Sequence, residues 1–134
     1  MSKNMSRDKY AAYWFEESEK DALVMKSLLK SGHYTWALFV GHLVLEKLLK
    51  AVYVKTISIQ VPRSHNLVKL AHDSDVKLTE EQENFLFEVT TYNLKGRYPD
   101  YKQSFYKKAT MEFTSNRIKQ IEEMQECLKK LLIK

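Results

Sequence analysis

Hydrophobic residues recur at intervals of three and four along most of the chain, the spacing of one face of an α-helix. The pattern predicts a first helix from about Asp8 to Ser31, ended by Gly32, and a second from about Tyr34 to Lys55. The second helix is apolar around most of its perimeter. Such a helix is either central to its bundle or shared with a second subunit. Because a small bundle seldom buries a helix completely, we favour a homodimer contact through this helix.

The middle of the chain predicts two further helices. Ser64 is a candidate N-cap for a short helix from Asn66 to about His72. Thr79 precedes Gln82 by three residues, which is the spacing of a capping box. We therefore predict a helix from about Glu80 to Leu94 that begins at this capping box.

The last third of the chain contains a break and a long helix. Gly96 and Pro99 interrupt the periodicity, so we expect Asn93–Tyr101 to form a loop or an interrupted turn. A final helix is predicted from about Ser104 to Leu132. The predicted fold is all-α: an antiparallel up-and-down bundle of four long helices and one short helix, in one domain spanning residues 1–134.

Composition supports this fold and narrows the class of protein. Three glycines and two prolines in 134 residues are too few for the turns of β-sandwiches or Gly-rich nucleotide folds. No stretch approaches the ~20 apolar residues of a membrane span, and the first residues lack the apolar segment of a signal peptide. The single cysteine, Cys127, fits a reducing compartment. We expect a cytoplasmic protein without a membrane contact, whose net charge of +5 permits an anionic ligand.

The usual signatures of metal and cofactor chemistry are absent from the sequence. Of the four histidines, only His42 has a carboxylate at helical spacing, Glu46. There is no HExxH motif, no Cys/His cluster, no phosphate-binding glycine loop and no Ser-His-Asp pattern. We expect neither a metal ion nor another cofactor.

The second helix carries the first candidate for a functional site. Glu46 and Lys50 stand four residues apart with the acid first, the favourable order for a helical ion pair. On a helical wheel, His42 and Glu46 border the apolar stripe, whereas Lys47 points away from it, toward solvent or a dimer partner. The pair is either an ordinary surface ion pair or a set of fixed charges in a cleft between helices.

The second candidate is the predicted break near Gly96. Arg97 can bind a phosphate through two hydrogen bonds, and Tyr98 can stack on a base. The alternative is structural: Arg97 pairs with Asp100, and Tyr98 closes the end of the bundle. Both interpretations are open from the sequence.

These segments together resemble a known family. The chain contains Glu46-Lys47-x-x-Lys50-Ala51, then Ser64-His65-Asn66-Leu67, and finally Arg97-Tyr98-Pro99-Asp100. In this order and spacing they are similar to the HEPN domain family, named for higher eukaryotes and prokaryotes nucleotide-binding. The resemblance extends over nearly the whole chain. It implies an up-and-down helical bundle that is usually a homodimer.

The resemblance also raises the question of catalysis. Many HEPN proteins are metal-independent ribonucleases in which an arginine precedes a histidine by about four to six residues; the histidine transfers protons and the arginine stabilises phosphate charge. Here His72 is the last histidine, so none follows Arg97. Arg63 has His65 too near and His72 too far. The ribonuclease motif is therefore absent.

We predict a non-catalytic homodimeric module that binds a nucleotide, RNA or another phosphate-bearing ligand. The alternative is a ribonuclease that uses Arg97 with a displaced His65. Another HEPN subgroup is similar to the partners of minimal nucleotidyltransferases in toxin–antitoxin-like pairs, so such an enzyme is a candidate partner. The predicted binding residues are Glu46, Lys47, Lys50, His65, Arg97 and Tyr98.

Overall fold

A computed structural model describes residues 3–97 and 99–133, with side chains for 6–95 and 102–133. The described residues contain helices and no strand. The helices are α1 (Lys3–Lys30), α2 (Tyr34–Thr56), α3 (Leu67–Asp73), α4 (Glu80–Arg97), α5 (Pro99–Lys108) and α6 (Met111–Leu132). The predicted all-α bundle is confirmed, although it has more helices than expected. None of the described helices is both long and apolar enough to cross a membrane.

Helix α2 lies at the centre of the bundle and packs against all five other helices. Leu38, Leu45 and Leu49 of α2 are completely buried, and each such side chain contributes about 1.5–3 kcal/mol of hydrophobic stabilisation. The apolar perimeter of α2 is therefore covered largely by its own chain, so that perimeter alone does not require a second subunit. Only one edge of the helix, which includes Phe39 and Leu43, is half-buried.

Helices α1 and α2 form an antiparallel hairpin and share the most extensive interface in the bundle. Gly32 ends α1 with a φ of 81°, and the His33 amide donates to the Leu28 carbonyl at 2.9 Å, as in a Schellman turn. Farther along the hairpin, the Ser18 hydroxyl donates to the Val44 carbonyl at 2.7 Å. These contacts fix the register of the two helices that carry most of the candidate site.

The start of α3 differs from the prediction. Asn66, rather than Ser64, is the N-cap, and its side chain accepts a hydrogen bond from the Lys69 amide at 3.1 Å. The Ser64 hydroxyl instead accepts from the Asn66 amide at 3.1 Å, which braces the residue that caps the helix. Both residue types cap helices well, and the one nearer the helix takes the role. The extended segment before α3 therefore continues through His65.

The capping box at the start of α4 is confirmed, whereas Asn93–Tyr101, predicted as a loop or an interrupted turn, is helical up to Arg97 and again from Pro99. The Thr79 amide donates to Gln82 Oε1 at 2.9 Å, and the Gln82 amide donates to Thr79 Oγ1 at 3.1 Å. Helix α4 continues to Arg97 rather than ending at Leu94, and α5 begins at Pro99. Proline suits the first helical position because it has no amide hydrogen to leave unpaired there.

The long final helix predicted from Ser104 is wrong, because the chain breaks between α5 and α6. Thr110 is the N-cap of α6, and its hydroxyl accepts from the Phe113 amide at 3.1 Å. Helix α5 is held against α4 by the rings of Tyr92 and Phe105, which stack with their centroids 5.5 Å apart. The break lets α5 cover the end of the bundle while α6 packs along α2.

Candidate functional site

Glu46 is a buried carboxylate with two close cationic or polar partners. It lies in the middle of α2 with 5% of its surface exposed. Its Oε2 accepts a hydrogen bond from Lys50 Nζ at 2.8 Å, which is the ion pair expected from the spacing. Its Oε1 lies 2.8 Å from Nδ1 of His65, which is in the segment before α3. The side chain thus joins α2 to the α2–α3 connection. We call Glu46, Lys50, His42 and His65 the Glu46 cluster.

The His65 ring is oriented by two interactions. Its own side chain bonds to Glu46, and its backbone carbonyl accepts a hydrogen bond from Nε2 of the buried His42 at 2.8 Å. Because a carboxylate accepts, the hydrogen of neutral His65 is on Nδ1, and the lone pair is on Nε2. The side chain is 55% exposed. It therefore presents a fixed imidazole to solvent.

Two opposing effects act on the pKa of Glu46. Burial raises the pKa of this carboxyl, but the hydrogen bonds from Lys50 and His65, together with the charges of Lys50 and His42, outweigh burial and hold the pKa below its usual range. Glu46 is therefore ionised near neutral pH. An ionised carboxylate can fix the tautomer and orientation of the His65 ring.

The Lys50 side chain lies inside the Glu46 cluster. It is buried, it is bonded to Glu46, and its Nζ lies 5.2 Å from the centroid of the Trp14 ring on α1. In this position the ammonium neutralises the carboxylate rather than standing free for an anion.

Lys47 does not point toward open solvent as the helical wheel predicted. Its side chain is 24% exposed and lies 2.8 Å from Asp21 Oδ2 and 3.9 Å from Glu17 Oε1, both on α1. The wheel fixes the direction of a side chain but not its neighbour, and here the neighbour is α1. Lys47 joins the helical hairpin and is not part of the Glu46 cluster.

Of Arg97 and Tyr98, the structure describes only the backbone of Arg97. Arg97 is the last residue of α4, and its side chain lies outside the described residues, as does all of Tyr98. The start of α3 is tied to α4 by the Leu67 amide, which donates to Thr90 Oγ1 at 3.0 Å. Arg97 comes two turns after Thr90, about 10.5 Å farther along the helix axis.

Sequence reasoning missed three residues near the cluster. His42 was paired with Glu46 by spacing, but its hydrogen bond to the His65 carbonyl depends on the fold. Trp14 belongs to the hydrophobic repeat of the first helix, and its contact with Lys50 depends on the fold. Arg63 is exposed and precedes His65 by two residues, so their Cα atoms are at most about 7 Å apart. Within the described residues, Arg63 forms no ion pair.

A second polar cluster links α4 to α6. Arg117 Nε donates to Glu88 Oε2 at 2.6 Å, and the buried Tyr92 hydroxyl donates to the same oxygen. The Arg117 guanidinium also lies 4.4 Å from the centroid of the Phe113 ring. The sequence showed only the four-residue spacing of Glu88 and Tyr92. Because the polar groups of this cluster hydrogen-bond to one another, we interpret the cluster as a structural link between the helices.

In the described part of the chain, no group of three or more His, Cys, Asp or Glu side chains is arranged to hold a metal ion. The chemistry available at the Glu46 cluster is that of an oriented imidazole. It can donate to an anion when protonated and can accept a proton at Nε2 when neutral.

Comparisons with known proteins agree with this architecture. The crystal structure of TT1696 from Thermus thermophilus is similar, with a TM-score of 0.78 and 21% sequence identity over 91% of this chain and 98% of that one. At this identity the likeness shows the fold alone. No curated protein matches the chain significantly. The HEPN domain matches residues 11–131, which is nearly the whole sequence, and the chain therefore belongs to the HEPN domain family.

Proposed function

We propose that this chain is a non-catalytic HEPN module that binds the phosphate of a nucleotide or of RNA at His65. The observation that carries the proposal is an exposed imidazole whose Nδ1 is held 2.8 Å from the buried carboxylate of Glu46. A ligand arriving at such a ring meets a donor that is already oriented. Binding therefore loses little conformational entropy.

The charges around His65 favour an anion. Lys50 neutralises Glu46 inside the cluster, so the buried carboxylate leaves no net negative charge to repel an anion at His65. Arg63 adds an exposed cation close by. In this proposal Lys50 positions Glu46 and acts on the ligand only through it, whereas Arg97 contacts phosphate and Tyr98 stacks on a base, as the sequence predicts.

We also propose that the module is a homodimer. HEPN domains commonly dimerise, and α2 retains one half-buried edge formed by Phe39, Leu43 and Tyr53. Glu46 and Lys50 fall on the same side of the helix as these residues, at steps of three and four. A dimer through this edge brings the partner subunit close to the Glu46 cluster. Light scattering at several protein concentrations tests it, and a monomer mass throughout contradicts it.

The binding proposal has a matched control within the chain. His72 is also 55% exposed and lies 2.8 Å from a carboxylate, Glu83, but that carboxylate is itself exposed. We expect nucleotides at about 1 mM to raise the melting temperature of the wild type and of His72→Ala by the same amount, and that of His65→Ala by less. Equal stabilisation of all three proteins, or of none, contradicts binding at His65.

One observation favours ribonuclease activity as a second candidate. A histidine oriented by a carboxylate, with Nε2 as its lone-pair nitrogen, is the arrangement of a general base. In this case His65 takes a proton from the attacking 2′-hydroxyl, and Arg97 stabilises the phosphate. The 2′-oxygen bonds to phosphorus as the bond from phosphorus to the 5′-oxygen breaks, and the 5′-oxygen takes a proton from water. RNA cleavage in EDTA should then disappear in His65→Ala and in Arg97→Ala and persist in His72→Ala. Cleavage that persists in all three variants indicates a contaminating nuclease.

A nucleotidyltransferase partner is the remaining part of the proposal. It is based on the family resemblance rather than on a surface of this chain. Co-expression with the product of the neighbouring reading frame, followed by size-exclusion chromatography, tests it. A nucleotidyltransferase that elutes separately from the HEPN chain contradicts the partnership.

A further inference from the structure

A surface cleft lies between the start of α2 and the end of α5, and it shares no residue with the Glu46 cluster. It has a volume of about 440 Å³, within the range of small-molecule sites. We call it the Trp36 cleft. The lining residues that matter here are His33, Trp36, Lys102, Tyr106, Lys107 and Thr110.

Two aromatic side chains of the cleft are open to solvent. Trp36 is 50% exposed and Tyr106 is 71% exposed. The Trp36 indole is supported from within by Phe39, whose ring meets it edge-on at 6.1 Å between centroids. A supported indole of this kind is a stacking surface, because one part is fixed by packing while another remains available to a planar ligand.

The charges of the cleft have one sign. Lys102 Nζ lies 5.6 Å from the centroid of the Trp36 ring, and Lys107 also lines the cleft. Neither lysine forms an ion pair with a carboxylate that the structure describes, and none of the Asp or Glu side chains among residues 6–95 and 102–133 lines the cleft. Three other surface clefts each contain acidic residues: Glu81 and Glu123 in one, Glu19, Glu122 and Glu126 in another, and Asp8 and Glu126 in the third.

The first turn of α2 forms one wall and supplements these side chains. His33 makes no side-chain capping hydrogen bond to this helix. The first-turn residues Tyr34, Thr35 and Trp36 line the cleft together with the lysines, and the first amides of a helix have no partner within it. Aromatic surfaces, cations and amide donors without a carboxylate are the combination that recognises a base attached to a phosphate.

We propose that the Trp36 cleft binds a nucleotide unit, with the base stacked on Trp36 and the phosphate held by Lys102 and Lys107. Lys102 is exposed, so its ammonium can move from the indole to the phosphate when the base takes its place. The nucleotide is either free or part of single-stranded RNA, because both present the same chemistry. This site is independent of the function proposed for His65.

The test measures binding of AMP, of a fluorescein-labelled single-stranded RNA and of inorganic phosphate to the full chain. We expect Trp36→Ala to weaken nucleotide or RNA binding about tenfold. The double variant Lys102→Ala/Lys107→Ala should weaken it by a similar factor and reduce its salt dependence. Lys77→Ala/Lys119→Ala removes the same charge from exposed lysines elsewhere and should change binding less than about twofold.

The outcomes separate the ligand sources and the two proposed sites. Trp36-dependent binding of AMP identifies free nucleotide as a sufficient ligand, and Trp36-dependent binding of RNA alone identifies the strand. Retained binding in His65→Ala supports a site independent of the Glu46 cluster. Equal affinity of wild type, Trp36→Ala and the Lys102/Lys107 variant overturns the proposal. It is also overturned if the chain binds inorganic phosphate but neither AMP nor RNA, or if it binds none of the three probes at about 1 mM. The lysine variant alters only exposed side chains, so it remains informative if Trp36→Ala unfolds.

Discussion

Nδ1 of His65 lies 2.8 Å from Oε1 of Glu46, and this contact joins an exposed ring to a carboxylate on the central helix of the bundle. The residues are 19 positions apart in sequence. The ring is therefore positioned by the packing of α2 and by the segment that precedes α3. Changes to this pair affect both the stability of the core and the surface chemistry of His65.

Glu46→Gln should destabilise the protein by about 3 kcal/mol, because it leaves the buried Lys50 ammonium without its counter-charge. Urea unfolding measures the loss. Glu122→Gln is the control, since Glu122 pairs with Lys26 at the surface and its removal should change stability by less than about 1 kcal/mol. Adding Lys50→Met to Glu46→Gln should restore part of the loss. Equal stability of wild type and Glu46→Gln contradicts the assigned pair.

Stability should fall as the pH drops below the ordinary range for glutamate. The pKa of Glu46 is lowered in the fold, where burial is outweighed by Lys50 and His65, and the unfolded value is about 4.3. Below that value the unfolded chain takes up the proton first, so this contribution is complete above it and is lost as the pH falls through the folded pKa.

Urea midpoints between about pH 7 and pH 3 measure this acid dependence. The difference in stability between wild type and Glu46→Gln should narrow as the pH falls below about 4.3. Glu122→Gln should instead remain parallel to the wild type. A constant difference between wild type and Glu46→Gln over this range contradicts a lowered pKa of Glu46.

At alkaline pH, the stability of the protein should depend on Tyr92. Burial, followed by the hydrogen bond to Glu88 and the charge of Glu88, raises the pKa of the Tyr92 hydroxyl well above its ordinary value. The unfolded chain ionises first, at about pH 10, so stability falls as the pH rises above that value. We expect Tyr92→Phe to cost about 1 kcal/mol near neutral pH and progressively less above pH 10.

Guanidinium unfolding between about pH 8 and pH 11 checks the Tyr92 prediction. Tyr106→Phe is the control because the Tyr106 side chain is exposed, and its curve should remain parallel to that of the wild type. If the curves of wild type and Tyr92→Phe also stay parallel, the Tyr92 hydroxyl does not cause the alkaline loss.

Gly41→Ala should destabilise the protein although alanine favours helices by about 1 kcal/mol. A Cβ at this position would lie 2.6 Å from Ile121 Cδ1 and 3.3 Å from Met25 Sδ, both in the core. Overpacking of this kind costs about 1–3 kcal/mol. Thermal unfolding should show a lower midpoint for Gly41→Ala. Ile121→Val, which removes the clashing atom, should raise that midpoint in the double variant, and failure to do so contradicts the clash.

Local sequence signals predicted the helical bundle, because α2, the capping box at Thr79 and the turn at Gly32 each depend on neighbouring residues. The length of the break predicted after Leu94 was wrong for a specific reason. Gly96 and Pro99 usually break helices, but proline is also a good first residue of one, and periodicity alone does not distinguish these uses. The choice of Asn66 over Ser64 as a cap was equally ambiguous.

The candidate site was predictable only within α2. The Glu46–Lys50 pair follows from a spacing of four, whereas the contact of His65 with Glu46 requires the α2–α3 connection to fold back on the helix. The ion pair of Lys47 was not predictable from spacing either, since its partner Asp21 lies on α1. The Trp36 cleft was missed because its two exposed aromatic residues lie on helices far apart in sequence.

The central position of α2 has a consequence for the motions of the Glu46 cluster. Amide hydrogens in the buried middle of a central helix exchange with solvent mainly when the whole bundle unfolds, whereas those of an exposed connection exchange through local opening. We expect slow exchange around Glu46 and fast exchange in residues 57–66. The carboxylate then stays in place during local opening of the segment that carries His65, and the contact between the two re-forms when the segment closes.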